Sequence, residues 1–237
     1  MIELNNKVAY ITGGSKGIGF SIAEALLKTG MRVAISGRSE EFLNNALKAL
    51  DQGDRLMAIN SDVTEPQDEV RAIEKIIENW GQLDVVVANA GVGHFAPVDE
   101  LSLDNWNQMI NTNLNGAFYT LRAAVDALKS SKGYFITIAS LAGANFFPSG
   151  AGYNATKFGL VGFTQAAMLD LRKYDIKVST IMPGSVATHF NNNQPSEKDA
   201  WKIQPEDIGL MVCDLLRMPA RTLPSKVEVR PSRPDLK

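Results

Sequence analysis

The chain has 237 residues, enough for one large domain with a substantial core. Hydrophobic residues make up 45% and charged residues 21%, an ordinary globular composition that argues against disorder. The formal charge of −2 gives no basic excess for nucleic acid or an anionic membrane surface, and no apolar stretch approaches the roughly 18 residues of a spanning helix.

Short β-branched runs alternate with longer helical patterns. Residues 8–11 read as a buried strand, followed by the turn Thr12-Gly13-Gly14-Ser15-Lys16-Gly17-Ile18-Gly19. Ile18, Ile22, Ala25 and Leu26 recur at helical spacing, with Gly30 where a C-terminal cap belongs. Residues 33–35 form a second strand. Ser39 is placed to cap a helix whose apolar face is Phe42, Leu43, Ala46, Leu47 and Leu50. A third strand covers 56–59, and Val70, Ile73, Ile76, Ile77 and Trp80 mark a helix stopped at Gly81. Val85-Val86-Val87 has the continuous apolar character of a buried parallel strand. One long helix is predicted over 103–128, a strand over 134–139, a helix over 152–174 and a strand over 178–181. Pro205 opens a last helix and residues 227–229 close the sheet. The pattern predicts a single domain over 1–237: a Rossmann-type doubly wound parallel sheet of about seven strands with helices on both faces. Its least regular segment, 188–204, is a candidate substrate loop, and 230–237 is a polar tail.

A strand, a glycine-rich turn and a helix make an anion site, because the helix N-terminus offers unpaired N–H groups and glycines let a phosphate approach the backbone. NAD-type sites place an acidic residue about 20 residues on, to bind the ribose 2′-hydroxyl. Here Gly37 and Arg38 stand at that point. A missing carboxylate removes repulsion against a 2′-phosphate, and an arginine can grip that phosphate. Lys16 could add a second positive charge. The reading therefore favours NADP(H). Tyr153 and Lys157 stand four apart in a helical segment and share one face. A cation beside a phenol favours the phenolate, which makes the hydroxyl a usable proton donor near neutral pH. Ser140 precedes Tyr153 at the end of a strand, where ligands of open α/β sheets bind.

With these motifs in hand, the chain resembles the short-chain dehydrogenase/reductase family over nearly its whole length. Gly13, Ser15, Lys16, Gly17, Ile18 and Gly19 fall in that family's glycine motif; Asp62-Val63 matches its adenine-contacting pair. Asn89-Ala90-Gly91 matches the segment that steadies the central sheet, and Pro183-Gly184-x-Val186-x-Thr188 the segment that holds the nicotinamide. Asn113, Ser140, Tyr153 and Lys157 match its catalytic tetrad. The resemblance implies that Tyr153 is the general acid in reduction and Ser140 the hydrogen-bond partner of the substrate carbonyl. It implies that Lys157 lowers the Tyr153 pKa and binds ribose, and that Asn113 helps hold a proton-relay water. Reduction of a ketone or aldehyde is the activity implied; a 3-oxoacyl-(acyl carrier protein) reductase and a non-catalytic NADP-binding sensor are the alternatives. The terminus lacks the apolar, glycine-containing end of the acyl-carrier-protein branch. The resemblance also implies a homodimer or homotetramer paired through the helices of Asn113 and Tyr153.

Aromatic candidates for the substrate pocket are Phe95, Phe146, Phe147, Phe190 and Trp201, with His94 beside them. No metal is expected, since His94 and His189 make no ligand set. Cys213 alone permits no intrachain disulfide, which favours a reducing, cytoplasmic setting, and no signal peptide is read at the N-terminus. Cys213 itself reads as a helix core residue.

Overall fold

A computed structural model describes residues 3–233. In chain order the elements are β1 (Val8–Ile11), α1 (Gly17–Lys28), β2 (Arg32–Gly37), α2 (Glu40–Leu50), β3 (Leu56–Asn60), α3 (Pro66–Trp80) and β4 (Val85–Ala88). Then follow α4 (Leu103–Ile110), α5 (Gly116–Ser131), β5 (Tyr134–Ile138), α6 (Ala151–Leu171), β6 (Lys177–Pro183), α7 (Pro205–Arg217) and β7 (Lys226–Val229). The strands form one seven-stranded sheet in the order β3-β2-β1-β4-β5-β6-β7. Every pairing is parallel, with Tyr10 opposite both Ala34 and Val86, and Val86 opposite Phe135.

Successive residues of a strand face opposite sides, and the core divides accordingly. Ala9, Ile11, Val85 and Val87 enter the cluster under α1, α2 and α7. Val8, Tyr10, Val86 and Phe135 enter the cluster under α3, α5 and α6. Helices α1 and α7 touch closely at Gly209, where an added Cβ would come within 2.6 Å of the Ser21 carbonyl oxygen. Cys213 lies 3% exposed in this face of the core.

The local signals act as expected at several ends. The Ser39 hydroxyl accepts a hydrogen bond from the Phe42 N–H, Gly81 ends α3 in a left-handed conformation, and Pro205 stands in the first turn of α7. Two helix boundaries differ. The helix predicted over 103–128 is interrupted by a π turn, Asn111–Asn115, between α4 and α5. Periodicity alone cannot show the extra residue such a turn inserts. The helix predicted to 174 leaves α geometry at Leu171 and ends in a 3-10 turn, Arg172–Tyr174. In the tail, 230–233 form neither helix nor strand, and 234–237 lie outside the described residues.

Since all strands are parallel, their C-terminal ends share one edge. The chain runs outward from β1 to β3 on one side and from β4 to β7 on the other, so the switch point lies between β1 and β4. Open α/β sheets bind ligands in the crevice there.

Candidate active site

The glycine turn is fastened across this switch point. The Thr12 hydroxyl accepts from the N–H groups of Asn89 and Ala90, each at 3.1 Å. The Asn89 side-chain amide donates to the carbonyls of Thr12 (2.9 Å) and Gly13 (3.1 Å). Gly13 and Gly17 have φ of +63° and +56°, which only glycine adopts without strain. Gly19 is needed for space: an added Cβ would lie 2.4 Å from the Gly13 carbonyl oxygen and 2.5 Å from the Asn89 amide nitrogen. Ile18 packs inward on the first core cluster.

This turn delivers α1 with a bare N-terminus. Lys16 sits at the N-cap without a side-chain cap hydrogen bond, and the first turn holds no acidic residue. Helices α2, α3 and α7 all begin with acidic residues. The α1 terminus therefore leaves its dipole uncompensated and its first N–H groups without a side-chain partner, as an anion site requires.

Beyond β1 lie the residues proposed for the far end of a dinucleotide. The Ser15 hydroxyl lies 3.5 Å from the position of an added Cβ on Gly37. The Lys16 ammonium lies 4.9 Å from the centre of the Phe42 ring. Arg38, after β2, approaches the Asp62 carboxylate, after β3, at 3.9 Å. The pair is solvent-accessible and holds Arg38 only loosely. Asp62 also accepts from the Thr64 N–H and hydroxyl, and Val63 is buried against Gly116 at the start of α5.

Across β4 the second group assembles. Ser140 follows β5 and caps a short 3-10 turn, its hydroxyl accepting from the Ala142 N–H at 3.1 Å. Tyr153 and Lys157 project from one face of α6. The Lys157 ammonium is 5.6 Å from the Tyr153 ring centre and donates to the Ile138 carbonyl at 3.1 Å. Asn113 occupies the π turn and is 1% exposed. Its amide accepts from the Val92 N–H (2.8 Å) and donates to the Val92 carbonyl (2.9 Å) and the Thr156 hydroxyl (3.1 Å). The Thr156 hydroxyl donates onward to the Tyr153 carbonyl at 2.8 Å. Gly91 fits between Asn113 and Lys157: an added Cβ would lie 3.3 Å from the amide oxygen and 3.7 Å from the ammonium.

Pro183 ends β6, and the Gly184 N–H donates to the Val229 carbonyl at 2.8 Å. Val186 forms a parallel bridge with Ile203, so the segment 188–204 leaves and returns at one point. Thr188 swings back to Gly17, whose added Cβ would stand 3.6 Å from the Thr188 methyl. The segment after β6 thus reaches the glycine turn.

Burial dominates the electrostatics. It pushes the Tyr153 phenol up to about 12, with the Ser140 hydroxyl pulling the other way, and pushes the Lys157 ammonium down to about 8. The expected lowering by Lys157 is not seen: burial raises the Tyr153 pKa, and the group that opposes it is Ser140, not Lys157.

Of the aromatic candidates, Phe95 and Phe190 meet the Tyr153 ring, at centre distances of 5.4 and 5.8 Å. Phe147 reaches Phe95 at 5.8 Å. Phe146 is 87% exposed, Trp201 carries the Lys202 ammonium over its ring, and the His94 ring bonds the Gln108 amide oxygen.

Three residues escaped the sequence reading. Thr12 was seen only as the edge of the glycine motif. Thr156 sits three residues after Tyr153, a helical same-face spacing that was a usable signal. Asn154, beside Tyr153, is buried and donates to the carbonyls of Ala142 and Asn145, each at 2.7 Å. It ties the Ser140 turn to α6.

The architecture is that of a doubly wound α/β protein whose Ser, Tyr and Lys side chains converge at its strand ends beside a glycine turn. The family model described as short chain dehydrogenase matches residues 7–199, and the chain belongs to this family. An uncharacterised oxidoreductase of Staphylococcus saprophyticus is 33% identical, over 98% of this chain and all of that protein. Among solved structures, an alcohol dehydrogenase from the archaeon Thermococcus sibiricus, complexed with 5-hydroxy-NADP, is similar at a TM-score of 0.90 and 32% identity, over 98% of this chain and 100% of that one. A metagenomic short-chain oxidoreductase in complex with NADP is similar at a TM-score of 0.85 and 32% identity, with the same coverage.

Proposed function

We propose that this oxidoreductase uses NADPH to reduce a ketone or aldehyde to an alcohol, with all of 1–237 forming one catalytic domain. The observation that carries the reading is the grouping of Ser140, Tyr153 and Lys157 at the C-terminal edge of the same sheet that presents the bare, acid-free N-terminus of α1. The residues fit a dinucleotide phosphate. The α1 terminus and the turn of Gly13, Ser15, Gly17, Ile18 and Gly19 receive the pyrophosphate, and Arg38 with Lys16 receives the 2′-phosphate. Asp62 and Val63 flank the adenine. Asn89, Ala90 and Gly91 line the middle of the crevice, and Pro183, Gly184, Val186 and Thr188 hold the nicotinamide end. The NADP-bound relatives support this assignment.

When bound, the cofactor supplies the hydride. The protein supplies position and the proton. Ser140 hydrogen-bonds the carbonyl oxygen and stabilises the charge that develops there. Tyr153 donates its phenolic proton to that oxygen. Lys157, held by the Ile138 carbonyl, places a positive charge beneath the ring. Asn113 fixes the backbone at Val92 and, through Thr156, the first turn of α6.

The protein is proposed to act in the cytoplasm, where a chain with one cysteine is at no disadvantage. It is also proposed to pair with a second copy through α5 and α6, which carry the exposed Phe118, Phe158 and Leu169. The test of the central reading is carbonyl-dependent NADPH consumption. NADPH should be preferred over NADH, Arg38→Asp should reverse that preference, and Tyr153→Phe should abolish turnover. Turnover unaffected by Tyr153→Phe overturns the reading.

A further inference from the structure

We infer that Phe95 and Phe190 form an aromatic clamp over Tyr153 that selects flat, uncharged carbonyl compounds, those whose carbonyl is conjugated to an aryl ring. The inference rests on the reductase reading above and names the substrate class of that site.

Phe95 meets the Tyr153 ring edge-on, at 5.4 Å and 72°, and Phe190 meets it tilted, at 5.8 Å and 54°. These are the distances and angles at which aromatic quadrupoles attract. The rings are seated where glycines leave out a side chain. An added Cβ at Gly93 would lie 2.7 Å from two carbons of the Phe190 ring, and one at Gly150 would lie 2.6 Å from a carbon of the Phe147 ring. Neither glycine has positive φ, so conformation does not require glycine at either place. What both positions provide is room for a ring.

Phe190 is also directed inward against its own surroundings. It is half-buried between exposed His189 and Asn191, in the polar run His189-Phe190-Asn191-Asn192-Asn193. Asn191 takes φ of +56°, a left-handed turn directly after Phe190. Because Val186 and Ile203 pin the two ends of this segment, Phe190 rides on a loop with a fixed base. Phe95 remains 40% exposed and Phe147 43%, so the clamp keeps apolar faces open toward solvent.

The phenylalanines and glycines of these contacts carry no charge. Lys157, 5.6 Å from the Tyr153 ring centre, is 4% exposed and already held by the Ile138 carbonyl. A substrate carboxylate or phosphate gains no partner in the clamp, whereas a planar ring gains two aromatic neighbours. An aromatic pair changes affinity by roughly 2- to 12-fold beyond its apolar area.

The experiment measures binding and turnover of a matched pair, phenyl methyl ketone and cyclohexyl methyl ketone. Binding is followed by ligand-observed NMR on the protein saturated with NADP+, and turnover by NADPH consumption. The wild type should bind and reduce the phenyl compound about tenfold better. Phe190→Leu and Phe95→Leu should each erase most of that preference while NADP+ affinity and the thermal midpoint stay unchanged. Equal binding of the two ketones to the wild type overturns the clamp, as does a preference that survives both substitutions. Preferential binding without any turnover overturns the reductase reading and leaves the clamp standing.

Discussion

At the residue scale, Lys157 is a side chain whose charge the fold makes costly to keep. Burial pushes its pKa from 10.5 down to about 8, so it keeps its proton at neutral pH and loses it just above. Two consequences have opposite signs. Reductive kcat/KM should fall as pH rises through about 8, because the cation beneath Tyr153 disappears. The unfolded chain keeps that proton up to about 10.5, so between the two values it binds more protons than the folded chain. The Lys157 contribution to stability therefore rises with pH over the same window. A pH–rate profile measured beside urea midpoints checks both signs. Activity that stays flat to pH 10 contradicts the role given to this lysine. Glu69 shows the same physics away from the site. It is 0% exposed, accepts from Tyr10 and Ser61, and burial raises its pKa above the ordinary carboxylate range. It joins the ends of β1 and β3 to α3.

At the scale of elements, the glycine turn and the π turn are the two irregularities that build the site. The turn depends on close backbone approach at Gly19. Gly19→Ala drives a methyl group into the Gly13 carbonyl and the Asn89 amide, and overpacking of this kind costs about 1–3 kcal/mol. The variant should melt at lower temperature and bind NADPH at least tenfold more weakly, as read by thermal unfolding and fluorescence titration. A variant with native affinity would mean that the turn does not grip the phosphates. The glycines of this turn were legible because their spacing, after an apolar strand and before an amphipathic helix, carries a physical meaning. Tyr153 and Lys157, whose spacing of four is common on any helix, were legible only in company with Ser140 at a strand end and the other motifs of the resemblance. The π turn at Asn113 was not, because the apolar period on either side of it continues as in an α-helix. Nor was the balance of charge at Tyr153, since burial is a tertiary quantity. Phe146 and Phe147 look equivalent in sequence, yet only Phe147 turns toward Phe95.

At the scale of the whole molecule, the doubly wound sheet could be read from alternating strand and helix patterns, and the structure supplies its order and register. The outer faces of α5 and α6 are less easily read, because an apolar helix face looks alike whether the same chain or a second copy covers it. Phe158 and Leu169 lie 44% and 59% exposed on α6, eleven residues apart and so on one stripe of the helix. Phe118 on α5, 47% exposed, packs edge-on to Phe163 of α6 at 6.1 Å. Patches of this kind mark interfaces. Light scattering at micromolar concentration should show at least a dimer, and Leu169→Asp should shift it to monomer with an unchanged circular dichroism spectrum. A wild-type monomer would contradict the pairing. The central claim, proton donation from Tyr153 to a carbonyl oxygen, is tested most directly by the rate of carbonyl-dependent NADPH consumption in wild type and Tyr153→Phe. General acid catalysis contributes about 10²- to 10⁴-fold, so the variant should lose at least a hundredfold in kcat/KM while binding NADPH normally. Wild-type turnover in Tyr153→Phe would contradict the account.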